Sequence, residues 1–102
     1  MRRRYVLSPE ALNDLVEIWR YVRREGSRES ADRVKRTIQQ KIEQIAASPG
    51  IGHRRPDVAS DAFLFSPVYS YLIVYRIGTK PLQVVAIIHG MRDLPNVLAP
   101  RQ

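Results

Sequence analysis

A chain of 102 residues, 44% of them hydrophobic, has room for one core and no second domain; its longest apolar runs, Tyr71 to Tyr75 and Val84 to Ile88, fall far short of the roughly 20 residues that span a bilayer. With no cysteine and two histidines, disulfides, Cys-ligated zinc and thiol nucleophiles are excluded, neither a metal nor a cofactor is expected, and a reducing cytoplasm suits the chain. The formal charge of +7 is uneven: residues 8 to 48 hold eight Lys or Arg against seven Asp or Glu, and the remainder holds nine against three, an excess that suits an acidic protein, a nucleic acid or plain solubility.

Residues 2 to 7 read as a strand, with Arg3, Tyr5 and Leu7 opposite Arg2, Arg4 and Val6. No apolar stretch follows the arginines, so no signal peptide is expected. Ser8-Pro9-Glu10 then starts a helix: the serine hydroxyl accepts from a free N–H, proline at the first position loses no bond, and glutamate complements the positive end. Leu12, Leu15, Val16, Trp19 and Val22 recur at helical spacing and form a stripe expected to be buried, up to a stop at Gly26. Ser27 caps a second helix with apolar positions Ala31, Val34, Ile38, Ile42 and Ile45, which Ser48-Pro49-Gly50-Ile51-Gly52 ends. The two make an antiparallel helical hairpin whose stripes need a surface to cover. Arg23, Arg24, Arg33, Lys35 and Arg36 alternate with Glu25, Glu29 and Asp32, which marks a solvated face rather than a nucleic-acid stripe.

Ala62 to Phe65, Tyr71 to Ile77 and Leu82 to Ile88 read as three strands joined by short turns, an antiparallel meander. Tyr71, Ile73, Tyr75 and Ile77 share a face opposite Leu72, Val74 and Arg76; Leu82, Val84, Ala86 and Ile88 oppose Val85, Ile87 and His89. Both faces are apolar and the hairpin covers one. The other is covered either by a partner chain or by the stretch after His89, in which Leu94 to Leu98 has the length of one helical turn. The expected fold is α+β in the order β-α-α-β-β-β, a single domain over residues 1–102 with a helical hairpin on a curved antiparallel sheet.

Five blocks in register carry a resemblance: Tyr5-Val6-Leu7-Ser8-Pro9-Glu10-Ala11, Asp14-Leu15-Val16-Glu17-Ile18-Trp19-Arg20-Tyr21, Ser48-Pro49-Gly50-Ile51-Gly52-His53, Tyr71-Leu72-Ile73-Val74-Tyr75-Arg76 and His89-Gly90-Met91-Arg92-Asp93-Leu94. Together they resemble the ParE branch of the RelE/ParE toxin superfamily. The resemblance implies a toxin of a type II toxin–antitoxin pair, a cognate ParD-like antitoxin with an acidic toxin-binding tail, and DNA gyrase as target. RelE-type relatives instead cut messenger RNA, and a degenerate member would bind its antitoxin alone; a shared fold does not choose among these.

Cleaving RNA needs a proton-transfer group near the 2′-hydroxyl and cations for the transition state. The candidates are His53, His89, Arg76 and Arg92, with Arg54 and Arg55 beside them. No tyrosine follows Tyr75, so the C-terminal tyrosine expected of RelE-like nucleases is missing, and the chain is expected to have no catalytic residues. His89, at a strand end before glycine, is expected to fix the chain turn through a backbone hydrogen bond. Arg92 and Asp93 are expected either to pair locally or to leave Arg92 facing a partner. Trp19 is expected in the core. Arg54, Arg55, Arg76, Arg92 and Tyr75 form the candidate surface for target or antitoxin, with the loop His53-Arg54-Arg55-Pro56-Asp57 as its most basic segment.

Overall fold

A computed structural model describes residues 4–55, 62–90 and 94–101. Four strands, β1 (Tyr5–Leu7), β2 (Phe63–Val68), β3 (Tyr71–Arg76) and β4 (Leu82–His89), form one sheet in the order β1-β4-β3-β2. The helices are α1 (Pro9–Glu25), α2 (Arg28–Ala47) and α3 (Leu94–Leu98), with 3₁₀ turns at Pro49–Ile51 and Ala99–Arg101.

The helix starts follow the local chemistry. Ser8 Oγ accepts from the Ala11 amide at 3.0 Å, and Ser27 Oγ from the Ser30 amide at 3.0 Å. The Gly26 amide donates to the Val22 carbonyl and closes α1. α2 buries Ala31, Ile38, Ile42 and Ile45, as its spacing predicts. α1 differs from expectation: its buried residues are Ala11, Leu15 and Ile18, while Leu12 is 53% and Val16 38% exposed. Two stripes offset by one position have the same period, and packing against β4 and α2 selects the one that includes the small Ala11. Trp19 lies half-buried between the helices, where its indole N–H donates to Asp32 Oδ1 at 2.8 Å and the Arg23 guanidinium stacks on its ring. The Arg and Lys of the helix face stay exposed.

β2, β3 and β4 form the expected antiparallel meander, but β1 joins β4 in parallel, so the sheet is mixed. The long helical crossover between β1 and the meander permits that pairing, which a tight turn would forbid. β2 runs on through Pro67, and the turn shrinks to Tyr69 and Ser70. Pro67 has the parity of Phe65, whose amide faces outward to His53, so its missing donor costs the β2–β3 ladder nothing.

In β4, Val74 pairs with Ala86 but Tyr75 pairs with Val84, leaving Val85 as a bulge. The bulge shifts the alternation by one. Leu82, Val84 and Ile87 therefore face the helices, and Val85, Ala86 and Ile88 the opposite side, which corrects the faces expected from strict alternation. That opposite side is covered by the chain itself: Leu94 and Leu98 of α3 pack with Phe63, Phe65, Val74, Ala86 and Ile88 in a second core. The layers are thus helical hairpin, sheet, and C-terminal turn.

Candidate binding site

The β4 bulge turns two backbone groups out of the ladder, and side chains from both ends of the chain meet them. Ser8 Oγ donates to the Val85 carbonyl at 3.3 Å, and the Ile87 amide donates to Asp14 Oδ2 at 3.0 Å. Arg101 completes the group: its Nη1 donates to Asp14 Oδ2 at 2.6 Å and to the Val85 carbonyl at 3.3 Å, and its Nη2 reaches Asp14 Oδ1 at 3.3 Å. The two side chains are 16% and 10% exposed, so this fork is partly desolvated and stronger than a surface ion pair. Arg76 donates to the Arg101 carbonyl at 3.3 Å and stacks over the Phe63 ring.

Two depressions flank this group. One, of about 270 Å³, includes Val6, Gln83, Arg76 and Arg101; the other, of about 560 Å³, runs between α1 and the end of β4 past Asp14, Glu17, Tyr21, Tyr71 and His89. Burial raises the Tyr71 phenol above its ordinary value, with Tyr21 adding in the same direction.

The sequence-predicted residues are dispersed. His53 pairs with Phe65 on the outer edge of β2, with N–H···O distances of 2.7 and 2.8 Å in the two directions. His53 and Arg54 are exposed and Arg55 half-buried. His89 lies at the far end of β4, its ring edge-on to Tyr71 with centroids 5.7 Å apart. Three strand spacings and a three-residue offset separate the histidines, roughly 15 Å or more, so they cannot exchange protons with one scissile group. The chain turn beside His89 is tied by the Gly90 amide donating to the Ser70 carbonyl at 3.0 Å.

Tyr75 is fully buried, which corrects its expectation as an interface residue. Its hydroxyl donates to the Pro49 carbonyl at 2.6 Å and accepts from the Gly52 amide at 3.0 Å, fastening the 3₁₀ turn to the sheet. A Cβ on Gly52 would collide with Tyr75 Oη and come within 2.9 Å of Leu64 Cβ, so only glycine allows this approach. Arg92 and Asp93 lie outside the described residues. The reading of single residues missed Asp14 and Arg101. Asp14 did carry a signal, because it lies next to Leu15 and on the same side as Ala11 and Ile18, and a carboxylate there requires a partner. Arg101, after Pro100, carried none.

Residues 5–94 match the family described as ParE toxin of type II toxin-antitoxin system, parDE. "Toxin ParE1" of Mycobacterium tuberculosis (strain H37Rv) is 32% identical over 99 residues, covering 96% of this chain and all of that one. "Toxin ParE1" of Caulobacter vibrioides is 33% identical over 86 residues, 83% of this chain and 86% of the relative. A solved structure described as "Chromosomal ParDE TA system from P. aeruginosa" superposes with a TM-score of 0.71 at 16% identity over 83% of this chain and 92% of that one, a likeness of fold. No helix among the described residues is long and apolar enough to cross a membrane.

Proposed function

The chain belongs to the family of ParE toxins of parDE type II toxin–antitoxin systems, and from that premise we propose that it binds DNA gyrase in the cytoplasm, obstructs its resealing cycle, and is held silent by a cognate ParD-like antitoxin. The observation that carries action by binding rather than by cutting RNA is the separation of His53 from His89 across the sheet. A 2′-hydroxyl attack on phosphate needs its base, acid and cations around one phosphorus. The exposed Arg54, the half-buried Arg55 and Arg76, and Arg92 on sequence grounds supply cations for carboxylates of the antitoxin or the target. The charge of +7 favours encounter with an acidic tail.

The test incubates the purified chain with gyrase and supercoiled or relaxed plasmid, and separately with labelled RNA. The expected result is lost supercoiling with trapped cleaved DNA, reversed by the antitoxin, and intact RNA. Cut RNA with untouched gyrase overturns the proposal. Unaffected growth on expressing the chain without antitoxin identifies a member that only binds its partner.

A further inference from the structure

Beyond Leu7 the chain leaves the sheet, so from Val85 onward β4 has no strand beside it on that edge among the described residues. Side chains take the place of a strand. The Val85 carbonyl is met by Ser8 and Arg101, and the Ile87 amide by Asp14. Alternation along β4 aims the Ile87 carbonyl at the same edge. Arg101 lines both flanking depressions and Asp14 the larger one, so the Arg101–Asp14 pair stands between the two along β4.

We propose that this edge is a docking slot for an extended peptide segment carrying a carboxylate, with Asp14 and Arg101 as a latch across it. The proposal rests on the reading that an acidic partner silences the chain. In the closed state Asp14 Oδ2 stands where a strand carbonyl would accept from the Ile87 amide, and its charge stands where the partner's carboxylate would meet Arg101. An incoming strand supplies both and adds its own donor for the Val85 carbonyl, so no backbone group is left unpaired by the exchange. Arg76 and Arg101 line the smaller depression against one acid, the exposed Glu10, which favours an anionic occupant. Leu94 and Leu98 anchor α3 in the second core independently of the latch, so Arg101 can swing without uncovering the sheet.

The test follows the Ile87 amide by nitrogen-15 NMR in the full chain. The probes are an end-capped peptide of alternating valine and glutamate and its glutamine counterpart. The glutamate peptide is expected to shift the Ile87 amide resonance and slow its hydrogen exchange, and the glutamine peptide to bind roughly tenfold more weakly. Asp14→Asn, which frees Arg101, is expected to tighten the glutamate peptide by roughly tenfold. Arg101→Ala is expected to make the two peptides equal. An Ile87 amide unmoved by the glutamate peptide, or equal binding of the two peptides to the unmodified chain, overturns the slot. Thermal melts check the folding of each variant, and if Asp14→Asn does not fold, the comparison of peptides on the unmodified chain and on Arg101→Ala decides. Gyrase inhibition in the same preparation with a silent Ile87 removes the slot and leaves the proposed function standing.

Discussion

Tyr75 is the residue where a surface expectation became a structural role, and its environment gives two measurable consequences. Burial raises its phenol above the ordinary value of 10.0, with the Gly52 hydrogen bond pulling the other way. Burial also raises Tyr5, reinforced by Glu43, and Tyr71. In the unfolded chain these phenols ionise first, so the stability they contribute is complete below pH 10 and falls as pH rises through the higher folded values. The thermal midpoint should therefore drop above pH 10, and Tyr75→Phe should flatten that drop; an equal alkaline slope in the variant would rule out Tyr75 as a source. At neutral pH the same variant strips the Pro49 carbonyl of its donor and the Gly52 amide of its acceptor, a loss of about 1–2 kcal/mol in urea unfolding. Gly52→Ala meets the same hydroxyl from the other side and should cost about 1–3 kcal/mol, while an unchanged midpoint would mean the turn relaxes freely. None of this was legible from the sequence, where Tyr75 sits in an unbroken apolar run with no sign of which loop its hydroxyl would reach.

At the scale of elements, α1 departs from what its sequence suggests, while α3 takes one of the two roles its sequence allows. The stripe on α1 was expected to bury Leu12 and Val16, yet both are turned outward, whereas the five-residue α3 buries two leucines completely or nearly so. Leu98→Ala should accordingly destabilise the chain by about 2–5 kcal/mol, because it opens a cavity in the second core. Leu12→Ala should stay within about 0.5 kcal/mol. Chemical denaturation of the two variants side by side checks the assignment of faces, and a larger loss at Leu12 would contradict it. The bulge at Val85 is a second departure. Strict alternation through β4 gives a self-consistent pair of faces from sequence, and a single extra residue exchanges them from Ala86 to Ile88.

On the scale of the whole molecule, charge and layering act together. The helical hairpin carries a near-balanced surface, and the excess of positive charge lies in the N-terminal segment, the loops, the strands and the C-terminal stretch. Encounter with an acidic antitoxin should therefore depend on ionic strength: the association rate should fall severalfold from 0.01 M to 0.15 M salt as the Debye length shrinks from about 30 to 8 Å, with a much smaller change in dissociation. Stopped-flow mixing reads this directly, and a rate indifferent to salt would remove charge steering from the account. The chain's own α3 covers the second sheet face, so a partner is not required to complete the core. A partner can still engage the β4 edge, the exposed His53 and Arg54 beside β2, and the outward-facing Leu12, Val16 and Tyr21 of α1.

The sequence by itself determined the order of elements, the two capped helices, the three-strand meander and the family, because caps, turns and apolar periods act over a few residues and leave their mark locally. The tertiary structure alone decided that β1 runs parallel to β4, which stripe of α1 is buried, which residues of β4 face each layer, and that Asp14 pairs with Arg101 across 87 positions. Those outcomes depend on which distant surface each segment meets, and a period of two or 3.6 residues states that a face will be buried without stating against what.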